Sequence, residues 1–402
     1  MPSATVGPDR SYRSLFAVPS VGRLMLGMQI ARIGQSMVSV AIVLFALDAY
    51  RSPELAGSAA FFTIFPGLLV SPIAGALLDR HGRTRLVILD YFIALAGLML
   101  MGVLALMGNL PAWLLMVIAG IASLTTPLSG TGLRSLFPLI VPPHLWERLN
   151  ALDSTGYVVA TVIGPPFAAF MVQVFGGPAA FVVIGLSFGL AAIVLVGTPD
   201  PKTEQASTGS LLLDAWQGLV YTWRNRTLRA LGFSISTLNL NFGTFTILVP
   251  LIVLERLHLN KAVVGLVLAV QGLTGIISAF WCGRIDTRDR ERMMLALPMF
   301  GMGIAIALLL FKSNLAVVIF VMMLTGLLNG PLDIALFTLR QRRTDKSWTG
   351  RAFAVSMSFN ALGLPIGAAL AGLMAARSIE AAIALGVVTS LVGGVIAALL
   401  VE

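Results

Sequence analysis

Residues 75–85 read GALLDRHGRTR, a charged string between two apolar stretches that are each long enough to cross a bilayer. A weaker copy follows 207 positions later, where Asp286 and Arg290 stand opposite Asp79 and Arg83. The copy keeps the acid and the arginines and has lost the glycines. A tight turn that recurs half a chain away indicates duplication of a membrane unit.

The composition indicates an integral membrane protein, because 57% of the 402 residues are hydrophobic and only 11% are charged. The apolar runs are continuous and about 20 residues long, which predicts an all-α membrane protein rather than a barrel of short alternating strands. Twelve runs qualify as transmembrane helices. The predicted spans are 22–46, 53–78, 86–107, 112–136, 150–175, 178–197, 230–254, 262–283, 293–311, 315–339, 352–376 and 380–401.

The net charge of +9 is spread over many short loops, which argues against nucleic-acid binding and favours a signal for orientation. Placing the N-terminus inside puts 21 of the 27 lysines and arginines on the cytoplasmic side. Both termini are therefore predicted to be cytoplasmic, in a multi-pass membrane protein. One cysteine and three histidines in separate loops indicate no disulfide, metal or other cofactor.

The chain divides at its one long polar stretch, which opens with TPDPKTEQASTGS. An interfacial amphipathic helix is predicted in the second part of that stretch, where tryptophans and leucines alternate with charges. The predicted units are a cytoplasmic N-terminal tail (1–21), a six-helix bundle (22–197), a cytoplasmic linker with the amphipathic helix (198–229) and a second six-helix bundle (230–402).

The two bundles match at several positions besides the charged string. Pro127 and Pro331 in the fourth and tenth spans are 204 positions apart, and Gly164 and Gly367 in the fifth and eleventh are 203 apart. Two parallel six-helix repeats joined by a linker resemble the major facilitator superfamily of secondary transporters.

The resemblance rests on specific residues. Gly75, Asp79, Arg80, Gly82 and Arg83 fit the loop motif of that superfamily between its second and third helices. The resemblance implies that this motif is a gate, a latch that stabilises the outward-facing state. Asp79 would then meet the positive N-terminus of a helix from the other half, with Asp286 and Arg290 as the second copy. The other reading is an anchor of positive charge, which leaves the acid and the glycines unexplained.

A second motif indicates to which branch of the superfamily the resemblance extends. Gly156, Gly164 and Pro165 resemble part of the glycine and proline motif of the superfamily's exporters. The segments RIG at 32–34 and RSLFPLIVPPHLWERLNAL at 134–152 resemble the bacterial branch of drug and siderophore exporters, although Gln35 stands where such relatives often carry an acid.

Polar residues recur at helical spacing in matched spans. In the first span they are three or four positions apart and share one face, and the seventh span repeats them at an offset of 205. Such side chains either line a substrate cavity or join helices through hydrogen bonds worth about 1 kcal/mol or less. We predict the first role. The predicted substrate-binding residues are Gln29, Arg32, Ser36, Ser39, Thr125, Ser129, Ser234, Thr237, Asn241, Thr244, Asn329 and Asp333.

Two charged members of this set have particular interpretations. Arg32 lies about 15 Å inside its span at helical rise, where an arginine must be paired or hydrated. It is either a contact for an anionic substrate or a gate, or one partner of a structural pair. Asp333 is the candidate proton carrier, whereas Asp90 and Asp153, one turn inside their helices, are expected to be structural.

The predicted function is an ion-coupled exporter, a proton antiporter, that moves small amphipathic organic molecules by alternating access as a monomer. Its predicted partners are the substrate, membrane lipid and the proton. An importer or facilitator of a polar metabolite in the same fold is the alternative, and a membrane-embedded lipid-modifying enzyme is a more remote one. The sequence has no clustered acid, base and nucleophile and no nucleotide-binding signature, so we predict neither an enzyme nor a primary pump.

Overall fold

The computed structural model describes residues 11–200, 211–282, 288, 290–311, 314–344 and 349–401, and no strand occurs in these ranges. A single 3₁₀ turn precedes α7 and a π turn follows α9. The helices are α1 (Tyr12–Ala17), α2 (Val21–Tyr50), α3 (Pro53–Phe62), α4 (Phe65–His81), α5 (Arg83–Leu106), α6 (Ala112–Ile140), α7 (Trp146–Leu195), α8 (Leu211–Arg224), α9 (Arg226–Leu251), α10 (Lys261–Cys282), α11 (Glu291–Phe311), α12 (Leu315–Arg342), α13 (Thr349–Ala361), α14 (Gly363–Ala375) and α15 (Ile379–Leu400).

Eleven of the described segments are long and apolar enough to cross a membrane, and one of them crosses twice. Arg148–Leu195 has 48 residues, about 72 Å of helix, which is more than twice the thickness of a hydrocarbon core. Gly176 interrupts it with φ 82° and ψ 162°, a conformation that glycine adopts at little cost, and Pro178 follows. The fifth and sixth predicted spans therefore separate here, and the prediction of twelve transmembrane helices in two repeats is confirmed.

Each span maps onto the helices in chain order. The first is α2, the second α3 with α4, the third α5, the fourth α6, the fifth and sixth α7, the seventh α9, the eighth α10, the ninth α11, the tenth α12, the eleventh α13 with α14, and the twelfth α15. We call the end of the bundle where α2 begins and α15 ends the terminal end, and the opposite end the distal end.

The second and eleventh spans are each broken into two helices. The second breaks at Thr63 and Ile64, just before Pro66, and the eleventh breaks at Leu362, just before Pro365. Proline lacks a backbone N–H and disfavours helical geometry in the residue before it. The predicted spans 53–78 and 352–376 did not mark these breaks.

The two halves of the chain pack tightly at the distal end. A Cβ atom added to Gly57 of α3 would lie 2.5 Å from the carbonyl oxygen of Ala368 in α14. A Cβ atom on Gly265 of α10 would lie 2.7 Å from the Cα atom of Pro166 in α7. Such distances leave no room for a side chain, so glycine permits direct backbone contact between the halves.

At the terminal end, helix α8 lies between the halves. It packs against α4 of the first half and against α9 and α13 of the second. Trp216 and Trp223 of α8 are 61% and 53% exposed. The interfacial role predicted for this amphipathic segment stays a prediction.

Candidate functional site

Arg32 and Arg134 meet at one carboxylate inside the first half. Nη2 of Arg32 lies 2.5 Å from Oδ1 of Asp153, and its Nη1 donates to the Asp153 carbonyl oxygen at 2.9 Å. Nε of Arg134 lies 2.9 Å from Oδ2 of the same carboxylate. The cluster thus joins α2, α6 and α7, and it carries two positive charges against one negative charge.

An aromatic ring lies beside both guanidinium groups. Tyr157 follows Asp153 by one helical turn, and its ring centroid is 6.0 Å from the Cζ atoms of both Arg32 and Arg134. At that distance the electron-rich ring face attracts a cation. Tyr157 is 57% exposed, so its ring is also accessible to a ligand.

The cluster borders an open cavity with about 630 Å³ of empty space. Gln35, one turn after Arg32, is exposed in it. The cavity is lined by Met28, Ala31, Arg32, Gln35, Tyr91, Thr126, Ser129, Gly130, Arg134, Tyr157 and Phe188.

Two further cavities continue this one in opposite directions. Toward the distal end, a cavity shares Gln35, Thr126 and Phe188 with it and reaches Asp90. Toward the terminal end, a cavity with about 480 Å³ of empty space shares Arg134 and lies between the end of α6 and the start of α7. The three cavities form a row through the first half.

The remaining predicted residues of the first span face α7. The Gln29 amide contacts α7 at Gly156, and Ser36 packs on Gly164, where an added Cβ would lie 2.5 Å from the serine Cβ. Ser36 also donates to the Arg32 carbonyl oxygen at 2.6 Å, and Ser39 is half-buried. The glycines of the exporter motif, which Pro165 follows, therefore bring α7 close to the polar face of α2.

The matched residues of the seventh span lie mostly between helices. Ser234 donates to the carbonyl oxygen of Gly393 in α15 at 2.9 Å, and Asn241 and Thr244 lie against Gly386 of the same helix. All three are fully buried, and only Thr237 is half-buried. Ser234 alone joins α9 to α15 by a hydrogen bond, since Thr244 donates to Leu240 of its own helix and the buried Asn241 amide has no partner among the described residues. The predicted role of these residues in substrate binding stays a prediction.

The fourth and tenth spans each place their polar pair beside a carboxylate. Thr125 and Ser129 of α6 lie beside the buried carboxylate of Asp90 in α5. In α12, Nδ2 of Asn329 donates to Oδ2 of Asp333 at 2.7 Å. Asp333 is half-buried, and its predicted role as a proton carrier stays a prediction.

The charged string contains a helix terminus that is capped from the linker. Gly82 separates α4 from α5 with φ +94°, and the backbone N–H groups of Arg83 and Thr84 each donate to the Asp200 carboxylate at 3.0 Å. An acid at a helix N-terminus satisfies free N–H groups and complements the helix dipole. The sequence places Asp200 only in the linker, and no local pattern indicates that it caps a helix that begins 117 positions earlier.

The other gating residues are only partly described. Gly75 and Asp79 lie in α4, where the side chain of Asp79 is outside the described atoms, and Arg80 is exposed. Asp286 lies outside the described residues, and Arg290 is exposed in the turn before α11. The predicted contact of Asp79 with the other half stays a prediction.

The sequence did not identify Arg134 or Tyr157 as site residues. The sequence assigns Arg134 to the cytoplasmic charges and to the exporter-like segment 134–152, and it predicts a structural role for Asp153. Arg134 and Tyr157 lie on either side of the loop between α6 and α7 in the sequence. The packing of these two helices places both side chains beside Arg32.

Twelve membrane crossings, with a row of cavities inside the first half, define this chain as a multi-pass membrane transporter that handles a small-molecule substrate within lipid. The family model of the Major Facilitator Superfamily matches residues 24–239 and 231–402. The chain belongs to the Major Facilitator Superfamily, and this family and the matched relatives are transporters and not enzymes.

Several relatives cover most of the chain. It is 34% identical over 387 residues to the MFS-type transporter y4rN of Sinorhizobium fredii, which covers 96% of both chains. It is 26% identical to the multidrug efflux pump Tap of Mycobacterium tuberculosis, over 87% of this chain and 85% of that one. It is 22% identical to macrolide efflux protein A of Streptococcus pyogenes, over 87% of this chain and 88% of that one.

Solved structures support the fold. The nucleoside transporter NupG superposes with a TM-score of 0.78 at 10% identity, covering 94% of this chain and all of that chain. A bacterial homologue of the iron transporter ferroportin, in an inward-facing state, superposes with a TM-score of 0.72 at 18% identity, covering 94% and 97%.

Proposed function

We propose that this transporter is a secondary active exporter of small amphipathic organic molecules, coupled to protons. It works as a monomer in the bacterial plasma membrane, with both termini in the cytoplasm. The bundles 22–197 and 230–402 rock about a central site by alternating access, and the linker 198–229 joins them on the cytoplasmic face.

The observation that carries this proposal is the position of the cavities relative to the contacts between the halves. The halves pack closely at the distal end, through Gly57 with Ala368 and through Gly265 with Pro166. The cavity that contains Arg134 lies at the terminal end. With the positive charges on the cytoplasmic side, this conformer is closed outside and presents its cavities to the cytoplasm, which is one of the two states that alternating access requires.

The central cavity is the middle one of the three, which borders the cluster of Arg32, Arg134 and Asp153, and its lining supports an amphipathic substrate. Met28, Tyr91 and Phe188 provide apolar and aromatic surface, whereas Gln35 and Ser129 provide hydrogen-bonding groups. Sites of this composition bury a drug-sized molecule and orient it through a few polar contacts.

The direction of transport is supported by the relatives. The multidrug efflux pump Tap and macrolide efflux protein A both match 87% of this chain. Relatives at 26% and 22% identity support export as the direction and leave the substrate to be assigned from the site.

Proton coupling rests on a carboxylate within the second half. Asp333 is half-buried in α12, and the neighbouring Asn329 donates one hydrogen bond to it. A carboxyl group away from bulk water can change its protonation as the surrounding cavity opens and closes.

The experiment uses a deletion strain and inverted membrane vesicles. The strain is profiled against a panel of toxins and metabolites, and the compounds to which it becomes sensitive are then tested for accumulation in vesicles. Export predicts accumulation that an uncoupler abolishes. Accumulation that ignores both the proton gradient and the membrane potential would show that the coupled mechanism is wrong.

A further inference from the structure

The site cluster contains one more positive charge than negative charge. Arg32 and Arg134 share the carboxylate of Asp153, whose two oxygens are both occupied by these contacts. Among the ion pairs of the described residues, none joins Asp90 to either arginine, and Asp90 lies beside hydroxyl groups instead. Among the described side chains, no second carboxylate pairs with these two guanidinium groups.

The guanidinium of Arg134 is the one available to a ligand. Arg32 uses both Nη atoms on Asp153, and its side chain is only 18% exposed. Arg134 uses Nε alone, its side chain is 48% exposed, and its Nη atoms make no hydrogen bond with the described residues. A planar guanidinium with free Nη groups is suited to binding a carboxylate or a similar oxyanion.

The position of Arg134 gives a ligand access to it from two sides. Arg134 lines both the central cavity and the cavity at the terminal end. Tyr157 flanks it in the first cavity and Trp146 in the second, and both rings are partly exposed. An anion bound at Arg134 would therefore have aromatic surface on either side for an apolar body.

A cationic substrate would find a less favourable environment in this half. Both Asp153 oxygens are taken by arginines, and Asp90 is only 4% exposed. A cation near Arg134 would be repelled, and none of the described side chains offers an unpaired carboxylate beside it to compensate. The same groups that attract an anion thus disfavour a cation.

We infer that the transported substrate is an organic anion whose oxyanion group binds the free Nη groups of Arg134 and whose apolar or aromatic body packs against Tyr157 in the central cavity. This inference rests on the proposed export function and specifies its substrate class. Tyr157 and Arg134 act together, since one holds the body and the other the charge.

The test compares three probes that share one ring system and differ in charge: 1-naphthoate, 1-naphthamide and 1-naphthylmethylammonium. Their binding to the purified full-length transporter is measured by titration calorimetry near neutral pH. We expect 1-naphthoate to bind about tenfold more tightly than the amide, as a charge-assisted hydrogen bond would give, and the ammonium to bind most weakly.

Variants assign the preference to Arg134. Arg134→Gln should remove the advantage of 1-naphthoate and keep the affinity for 1-naphthamide, which shows that the site remains intact. Arg134→Lys should keep only part of the advantage, because lysine offers a charge without the planar fork. Arg377→Gln, which removes an exposed arginine from a loop of the second half, is the matched control and should bind like wild type.

The outcomes separate this inference from the export proposal. Equal or tighter binding of the amide or ammonium, binding of none of the three probes, or an unchanged preference in Arg134→Gln would overturn the inference. If Arg134→Gln does not fold, the order of the three probes on wild type and on Arg134→Lys decides. Vesicles that accumulate the neutral probe in an uncoupler-sensitive way support export even if the anion preference fails. Tight 1-naphthoate binding without any accumulation supports an anion site at Arg134 but contradicts export, and with it the inference that the anion is transported.

Discussion

Lys261 at the start of α10 and Asp48 near the end of α2 form an ion pair, with Nζ and Oδ2 3.0 Å apart. The pair joins the two halves of the chain at the distal end. The backbone N–H of Lys261 also donates to Oε1 of Gln173 in α7 at 2.8 Å. One residue of the second half therefore contacts two helices of the first, where alternating access would require the halves to separate.

Asp48→Asn should shift the transporter modestly toward a conformer that is open at the distal end. The effect should be at most about fivefold in population, because exposed ion pairs contribute about 1 kcal/mol or less and the Asp48 side chain is 59% exposed. The measurement is the distance distribution between spin labels at Asn109 and Arg377, in a protein whose single cysteine, Cys282, is alanine.

The matched control is Glu380→Gln, which breaks an ion pair with Arg256 inside the second half at a comparable side-chain exposure of 54%. It should leave the distribution unchanged. An equal shift in both variants would show that general surface charge is responsible, and the Asp48 contact would then have no role as a gate.

Gly57→Ala should prevent tight closure of the distal end. Its new methyl group would lie 2.5 Å from the Ala368 carbonyl oxygen and 3.0 Å from the Cα atom of Gly372, and neither backbone can move aside easily. We expect a longer distance between the distal labels and a large loss of transport, although alanine favours a helix by about 1 kcal/mol over glycine.

Gly120→Ala is the control for this change, because its added Cβ would meet only the side chains of Phe62 and Pro66, at ordinary distances of 3.6 and 3.8 Å. That variant should transport normally. Normal transport by Gly57→Ala as well would refute the proposal that backbone contact between α3 and α14 closes the distal end.

Substitutions of Arg32 and Asp153 should have strongly non-additive effects on stability, because the two side chains form one ion pair. Asp153→Asn leaves two guanidinium groups without their carboxylate, and Arg32→Gln leaves a carboxylate that is 8% exposed with one arginine fewer. We expect each single variant to lower the thermal midpoint. The loss in free energy of unfolding of the double variant should be about 1 to 3 kcal/mol smaller than the sum of the losses of the two single variants.

The same cycle separates the two interpretations of Arg32. A structural partner loses stability on substitution, whereas a pure substrate contact loses transport at an unchanged midpoint. Additive effects in differential scanning fluorimetry would contradict the coupling.

Asp200→Ala should destabilise the start of α5 by about 1 to 2 kcal/mol, because two N–H groups at the helix terminus lose their acceptor. Asp200→Asn should cost less, since the amide oxygen still accepts a hydrogen bond and only the charge is lost. The thermal midpoints of the two variants measure this order. Identical midpoints for Asp200→Ala and wild type would show that the cap contributes nothing to stability.

Asp333→Asn should abolish accumulation driven by the proton gradient while the substrate still binds. Asparagine keeps the size of the side chain and the contact with Asn329 but cannot carry a proton. Transport in inverted vesicles and binding in detergent are compared, with Arg32→Ala measured beside it. Proton-driven accumulation that persists in Asp333→Asn would assign the coupling to another group.

The twelve spans could be predicted from the sequence because the bilayer sets a local requirement. About 20 consecutive apolar residues satisfy it wherever they stand, so no knowledge of neighbouring helices is needed. The break between the fifth and sixth spans could be predicted for a similar reason, since Gly176 and Pro178 interrupt a helix through their own backbone chemistry.

The faces of the helices could not be assigned in the same way. The polar residues of the first and seventh spans have identical spacing, yet Ser36 packs on Gly164 of α7 whereas its counterpart Asn241 lies against Gly386 of α15. Spacing places residues on one side of a helix, and it does not specify which neighbour that side meets.

The sequence by itself determined the fold class, the number of crossings and the internal repeat, because each depends on properties of short segments or on their recurrence. Only the tertiary structure decided the site. It joined Arg32 to Asp153 across 121 positions and placed Asp200 on the backbone of Arg83 across 117, contacts that arise when helices pack and that local patterns do not encode. The charge of the cavity follows from the same packing, since one carboxylate became the shared partner of two arginines.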